Sequence, residues 1–158
     1  LESGEIVLEE VGFNINKLSD ETIGIVEELA KERNIQIVKE KNITHPYLMG
    51  SPTHVKRVLM NVLSNAIKFS DEGKLIEIKS NIGDNKTVLE FKDQGIGISK
   101  EDQQHLFERF FRGSNATNIQ GTGLGLNIVA RYVELMNGVI ETESELNKGT
   151  AFKITIPC

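Results

Sequence analysis

The chain has 158 residues, enough for one domain with a sizeable core, and its 39% hydrophobic and 26% charged residues are ordinary for a globular protein. A net charge of -5 argues against a nucleic-acid surface, though it leaves room for a local cationic pocket. The one cysteine, Cys158, cannot form an internal disulfide and suits a reducing compartment, and no apolar run approaches the roughly 18 residues of a membrane span.

Nothing at the start reads as a signal peptide, and an opening on Leu1 rather than Met is expected of a piece of a longer protein. Residues 5–11 predict a short edge strand. Ser19 and Asp20 suit N-caps for a helix over 21–33, with Ile23, Val26, Leu29 and Ala30 as its buried stripe and Asn34 as its end. Residues 35–39 alternate as a strand, and a short strand is expected over 47–49. Ser51 and Pro52 then predict the cap and first turn of a helix over 52–69. Val55, Leu59, Val62, Leu63 and Ala66 give that helix an apolar face, while Asn61, Asn65 and Lys68 share a different one. After a stop at Asp71-Glu72-Gly73, residues 75–82 and 87–92 form a hairpin. Ser99 caps a short helix carrying Leu106, Phe107, Phe110 and Phe111, and residues 112–120 are a polar, small-residue loop. A helix follows to about Asn137, with a core stripe of Leu126, Val129, Val133 and Met136 and a stop at Gly138. Residues 139–143 and 150–156 make a last hairpin. No repeat or linker divides the chain.

Three stretches carry chemistry. Two carboxamides and an ammonium in one stripe suit a solvated face, but they also suit Mg²⁺ and phosphate oxygens. Asp93 ends a strand, and Gly95 and Gly97 behind it let a backbone approach a flat ligand. An ionised Asp only accepts hydrogen bonds, so it can select a donating group such as an exocyclic amine; an N-capping acid in a plain turn is the other reading. Gly121, Gly123 and Gly125 alternate with Thr122 and Leu124 ahead of Leu126, at a helix start. Exposed N–H groups and a helix dipole there suit a phosphate site; a flexible hinge is the other reading. A dinucleotide fold is disfavoured, because the preceding strand and the parallel βαβ run are missing.

Five blocks thus occur in order: residues 61–69, 93–97, 106–112, 121–126, and Gly149-Thr150. Together they closely resemble the ATP-binding catalytic domain of bacterial sensor histidine kinases, with its N, G1, F, G2 and G3 boxes. That domain belongs to the GHKL superfamily with gyrase, the heat-shock chaperone ATPases and the mismatch-repair ATPases. The resemblance covers nearly the whole chain and implies a single domain over residues 1–158, with residues 1–4 the end of a linker from a missing dimerisation domain. It implies the Bergerat fold: an α/β two-layer sandwich, a mixed sheet with helices on one face and a flexible ATP lid over residues 112–120. By the same resemblance Asn65 would ligate Mg²⁺, with Asn61 beside it near the phosphates. Lys68 would touch the phosphate chain, and Phe69 and Ile98 would lie near the nucleotide. Asp93 would hold the adenine amine, helped through water by Thr150, and Gly95 and Gly97 would let the base in. Gly121, Thr122, Gly123, Leu124, Gly125 and Leu126 would wrap the phosphates of ATP, and Arg112 would reach the terminal one.

Asn61 separates two chemistries. Hydrolysing members of the superfamily carry there a Glu that activates water; a carboxamide has no useful basicity. The expectation is a kinase that keeps the γ-phosphoryl for a histidine on a separate helical hairpin, in a homodimeric parent that serves a response-regulator receiver domain. None of His45, His54 and His105 has the family's phosphoacceptor pattern or metal-ligand spacing. A GHKL-type ATPase and a catalytically inactive nucleotide-sensing module are the alternatives. A cytoplasmic, monomeric domain with no nucleic-acid partner is expected, whether or not the parent is anchored in a membrane.

Overall fold

Alternation along the strands decides which face of the main sheet is covered. The computed structural model describes residues 11–41, 47–83, 85–108 and 125–157. They form β1 (Val11–Asn14), α1 (Ile15–Glu32), β2 (Gln36–Lys41), β3 (Tyr47–Gly50), α2 (Pro52–Phe69), β4 (Leu75–Gly83), β5 (Lys86–Lys92), α3 (Lys100–Gln103), α4 (Gly125–Leu135), β6 (Val139–Glu145) and β7 (Gly149–Pro157). Five strands make one mixed sheet in the order β2-β4-β5-β7-β6, with β2 parallel to β4 and the other neighbours antiparallel. β1 and β3 pair apart from it as a two-stranded antiparallel ribbon.

On the inner face of the sheet, Ile76, Ile78, Leu89, Phe91, Phe152, Ile154 and Ile156 are buried. The outer face carries a row of charges in register across all five strands: Glu40, Lys79, Glu90, Lys153 and Glu141, alternating in sign. Facing opposite charges favour this register modestly, and as exposed pairs they add little stability. They leave a face that water wets, and the described helices cover the other one. α2 lies there between α1 and α4. Its Val55, Val58, Leu59, Val62, Leu63, Ala66 and Ile67 are all buried, and its bounds are those its sequence pattern predicts.

Other elements differ from expectation. α1 starts at Ile15, not after Ser19 or Asp20, because the Asn14 side chain accepts the Lys17 N–H at 3.1 Å and caps the helix there. Ser19 and Thr22 are buried within it, and the Thr22 hydroxyl is satisfied by Leu18 O at 2.8 Å. Leu29, expected in the core, is exposed. Of the strand expected over 5–11, residues 5–10 lie outside the described residues, and Val11 opens β1. Ser99 does cap α3, but that helix ends at Gln103, so Leu106 and Phe107 sit in the turns after it. Phe110 and Phe111 lie outside the described residues. α4 ends through Asn137, in the left-handed region at φ 58°, while Gly138 is required for closeness: a Cβ there would lie 2.6 Å from Thr155 O.

Candidate functional site

Burial of one face of α2 turns Asn61, Asn65 and Lys68, all half-buried, to the other side. The Asn61 Nδ2 donates to Arg57 O at 2.8 Å, one turn back. α4 begins against these amides. A Cβ on Gly125 would lie 3.2 Å from Asn65 Nδ2 and 3.7 Å from Asn61 Oδ1, so the missing side chain keeps this approach open. Two carboxamides therefore stand beside the positive end of a helix.

The second wall comes from the sheet. Inward-facing positions of β5, β7 and β6 are mostly apolar, with Thr87 and Thr142 among them, and the last row is polar throughout: Asp93, Thr150 and Ser144 stand side by side there. Asp93 is buried at 7% exposure; its Oδ1 accepts the Gly95 N–H at 2.9 Å and the Thr150 N–H at 3.2 Å. Burial raises its carboxyl to about 6, and the two N–H bonds pull the other way without cancelling that effect.

Glycines join the walls. Ile96 N–H donates to Phe69 O at 3.1 Å and Gly95 bridges to Ser70, so the end of α2 is tied to the loop after Asp93. A Cβ on Gly95 would overlap the Phe69 carbonyl, and one on Gly97, at φ 72°, would overlap Glu145 O. Ile98, expected near the nucleotide, donates its N–H to Ser144 Oγ at 2.8 Å and is half-buried beside the core.

The structure thus brings Asn61, Asn65 and Gly125 together, and ties Phe69 to Asp93, Gly95, Gly97 and Thr150 on the other wall. Lys68 stands in the last turn of α2, where a cation also complements the helix dipole. Leu126 packs against the core. Arg112, Gly121, Thr122, Gly123 and Leu124, and the whole expected lid, lie outside the described residues, as does His45. His54 is buried at the start of α2, bonded to Ser51 Oγ and 4.9 Å from the Tyr132 ring; burial, and then Arg57, lower its pKa. His105 is exposed, and its bond to Glu108 raises its pKa. Sequence reasoning missed Ser70, whose buried Oγ has no partner among the described residues, and Ser144 and Gln103. For Ser144 the signal was its place opposite Thr150, which needs the hairpin register. Among the described residues no three His, Cys, Asp or Glu cluster as metal ligands.

Residues 50–158 match the family model described as histidine kinase-, DNA gyrase B-, and HSP90-like ATPase. The chain belongs to this family. Sensor histidine kinase GacS of Pseudomonas protegens is 33% identical over 163 residues, which are 99% of this chain and 18% of that protein. The nucleotide-free catalytic domain of histidine kinase ThkA is 33% identical with a TM-score of 0.84, over 94% of this chain and 95% of that one. ThkA in complex with response regulator TrrA is 30% identical with a TM-score of 0.82, over 99% of this chain and 44% of that one. The fold is that of histidine kinase catalytic domains, and nucleotide binding is what the family implies. The chain spans between 8% and 23% of the length of the curated relatives it matches. No described helix is long and apolar enough to cross a membrane.

Proposed function

We propose that this histidine kinase ATP-binding domain holds Mg-ATP between α2 and the end of the sheet, and passes the γ-phosphoryl group to a histidine on a helical hairpin of the same parent. The observation that carries this is the pairing of Asn61 and Asn65 against the start of α4 with a buried Asp93 tied to the far end of the same helix.

Asp93, an acceptor when ionised, receives the adenine amine, with Thr150 beside it. Gly95 and Gly97 leave the base room. The Asn65 oxygen, with Asn61 next to it, suits Mg²⁺, a hard cation that takes neutral oxygen ligands and completes its shell with phosphates and water. Both carboxamides lie close to the Gly125 backbone, so their oxygens would hold such a group at the start of α4. When bound, the metal neutralises charge on the phosphate oxygens. Lys68 adds a cation to the phosphate chain, and Gly121, Thr122, Gly123, Leu124, Gly125 and Leu126 supply N–H groups to it. Arg112 reaches the terminal phosphate as the lid over residues 112–120 closes.

Transfer of this kind needs positioning and charge stabilisation more than covalent work. Asn61, with its Nδ2 bonded to Arg57 O, offers no base to activate water, which favours transfer over hydrolysis. The partners are the dimerisation hairpin, which supplies the histidine, and a response-regulator receiver downstream. We place the domain, as a single unit over residues 1–158, in the cytoplasm.

The test mixes the chain with its parent's hairpin and labelled ATP. Acid-labile phosphate on the hairpin, lost with Asn65→Ala, supports transfer. Steady release of inorganic phosphate by the chain alone would replace it with an ATPase, and an absence of Mg-ADP binding in calorimetry would remove both.

A further inference from the structure

We infer that Ser144 is a positioning residue for the nucleotide base: it fixes which way the Thr150 hydroxyl points its proton, and so makes the Asp93 end of the cleft accept-only. This rests on the proposed reading that Asp93 and Thr150 face the base.

Ser144 Oγ is met from three sides. The Ile98 N–H approaches at 2.8 Å, Gly149 O at 2.9 Å and Thr150 Oγ1 at 2.8 Å. A hydroxyl has one proton and two lone pairs. A carbonyl oxygen only accepts, so the Ser144 proton goes to Gly149 O. An amide N–H only donates, so Ile98 takes one lone pair. The third contact then requires Thr150 to donate into the other lone pair. All three sites on Ser144 are filled, and the one proton of Thr150 is committed.

The consequence falls on the cleft. Thr150 Oγ1 keeps lone pairs and nothing to donate. Beside it Asp93, when ionised, has no proton either, and its Oδ1 already takes the Gly95 and Thr150 N–H groups. Toward a ligand, the Asp93 carboxylate and the Thr150 hydroxyl therefore only accept. A ligand group that donates protons, such as an exocyclic amine, is satisfied here directly or through water; an oxo group meets only lone pairs. Three main-chain segments hold the device in place. Gln103 Nε2 donates to Ile98 O at 2.8 Å and to Ser144 O at 3.2 Å, so α3 clamps the same two stretches that Ser144 Oγ joins.

If Ser144 merely stapled the hairpin, its loss would weaken every nucleotide alike. Calorimetric titration of the full chain with ADP and with inosine diphosphate, which carries an oxo group in place of the amine, separates the two. Ser144→Ala frees Thr150 to donate, and the preference for ADP over inosine diphosphate is expected to fall about tenfold, the effect of one hydrogen bond. Ser144→Thr keeps the hydroxyl and is expected to restore it. Thr150→Val is expected to lower the preference as much as Ser144→Ala, and the double variant no further; it also serves if Ser144→Ala fails to fold. An equal loss for both nucleotides in Ser144→Ala, or additive losses in the double variant, would overturn the inference. Asp93→Asn separates the layers. If it lowers ADP affinity while Ser144→Ala keeps the preference, only the role of Ser144 fails. If it changes neither affinity, the reading of the cleft fails.

Discussion

Asp93 and Thr150 hold each other twice: the Asp93 N–H donates to Thr150 O at 2.9 Å, and the Thr150 N–H donates to Asp93 Oδ1 at 3.2 Å. The carboxylate proposed to face the base is thereby fixed to the strand beside it, and it is buried in the ligand-free chain. Burial carries its pKa to about 6, within reach of ordinary buffers.

A pH dependence of binding follows. The ligand favours the ionised carboxyl, whose population falls as pH drops through about 6. Between pH 7 and pH 5 the affinity for Mg-ADP is expected to fall on the order of tenfold, one decade of proton competition below the pKa. Titration calorimetry across that range checks it. In Asp93→Asn, binding is weaker throughout and its pH slope in this window disappears; a slope that survived the substitution would belong to another group.

The empty protein responds in the opposite sense. The folded pKa of Asp93 lies above its unfolded value of 3.8, so its contribution to stability is fully present below that value and is lost as pH rises through about 6. At pH 7 the buried charge costs at most ~3 kcal/mol. Asp93→Asn is expected to raise the melting temperature of the ligand-free chain at pH 7, with the gain fading toward pH 4. Thermal unfolding at both pH values measures this. The site is then stabilising to occupy and destabilising to leave empty, which is common where function needs a charge in a dry place.

Gly149 allows the contact between Asp93 and Thr150. Its φ is 123°, and a Cβ there would overlap Asp93 O. Gly149→Ala thus meets strain and backbone collision together, and a loss of ~3 kcal/mol in urea unfolding is expected. Gly24 is the control. It lies in α1 with open space around it, so Gly24→Ala is expected to be neutral or to stabilise by up to ~1 kcal/mol through helix propensity. Equal effects at the two positions would mean that the close approach at Gly149 relaxes freely.

How much of this was legible before folding depends on how local the cause was. In α2 the cap, the proline and the apolar stripe all act within the helix, and Pro52–Phe69 was readable to the residue. In α1 the inner face includes Ser19 and Thr22, which break the apolar pattern, and the helix start was read five or six residues too late. The parallel pairing of β2 with β4 brings Glu40 against Lys79, which no periodicity reveals. Asp93, Asn61 and Asn65 stood out as candidates because their residue types are informative where they stand. Ser144 did not stand out, since a serine on a strand means little until the register sets it opposite Thr150.

His54 gives the last test. Its ring packs 4.9 Å from that of Tyr132 and bonds Ser51, the cap of α2, whose Oγ also accepts the His54 N–H at 3.4 Å. Burial, with Arg57 nearby, puts the folded pKa below the ordinary histidine value of 6.5. The unfolded chain therefore binds the proton first, so the contribution of a neutral His54 is present above about 6.5 and is lost as pH falls below it. Asp93 acts the other way over part of the same range and masks this, so the measurement belongs in the Asp93→Asn background. There, adding His54→Phe keeps a ring against Tyr132, removes the titrating group, and is expected to flatten the fall in stability between pH 6.5 and pH 5 while costing about 1 kcal/mol at pH 7.5 through the lost Ser51 contact. Ser51→Ala is expected to cost a similar ~1 kcal/mol at pH 7.5. If the two slopes with pH coincide, His54 does not titrate in the window its burial implies.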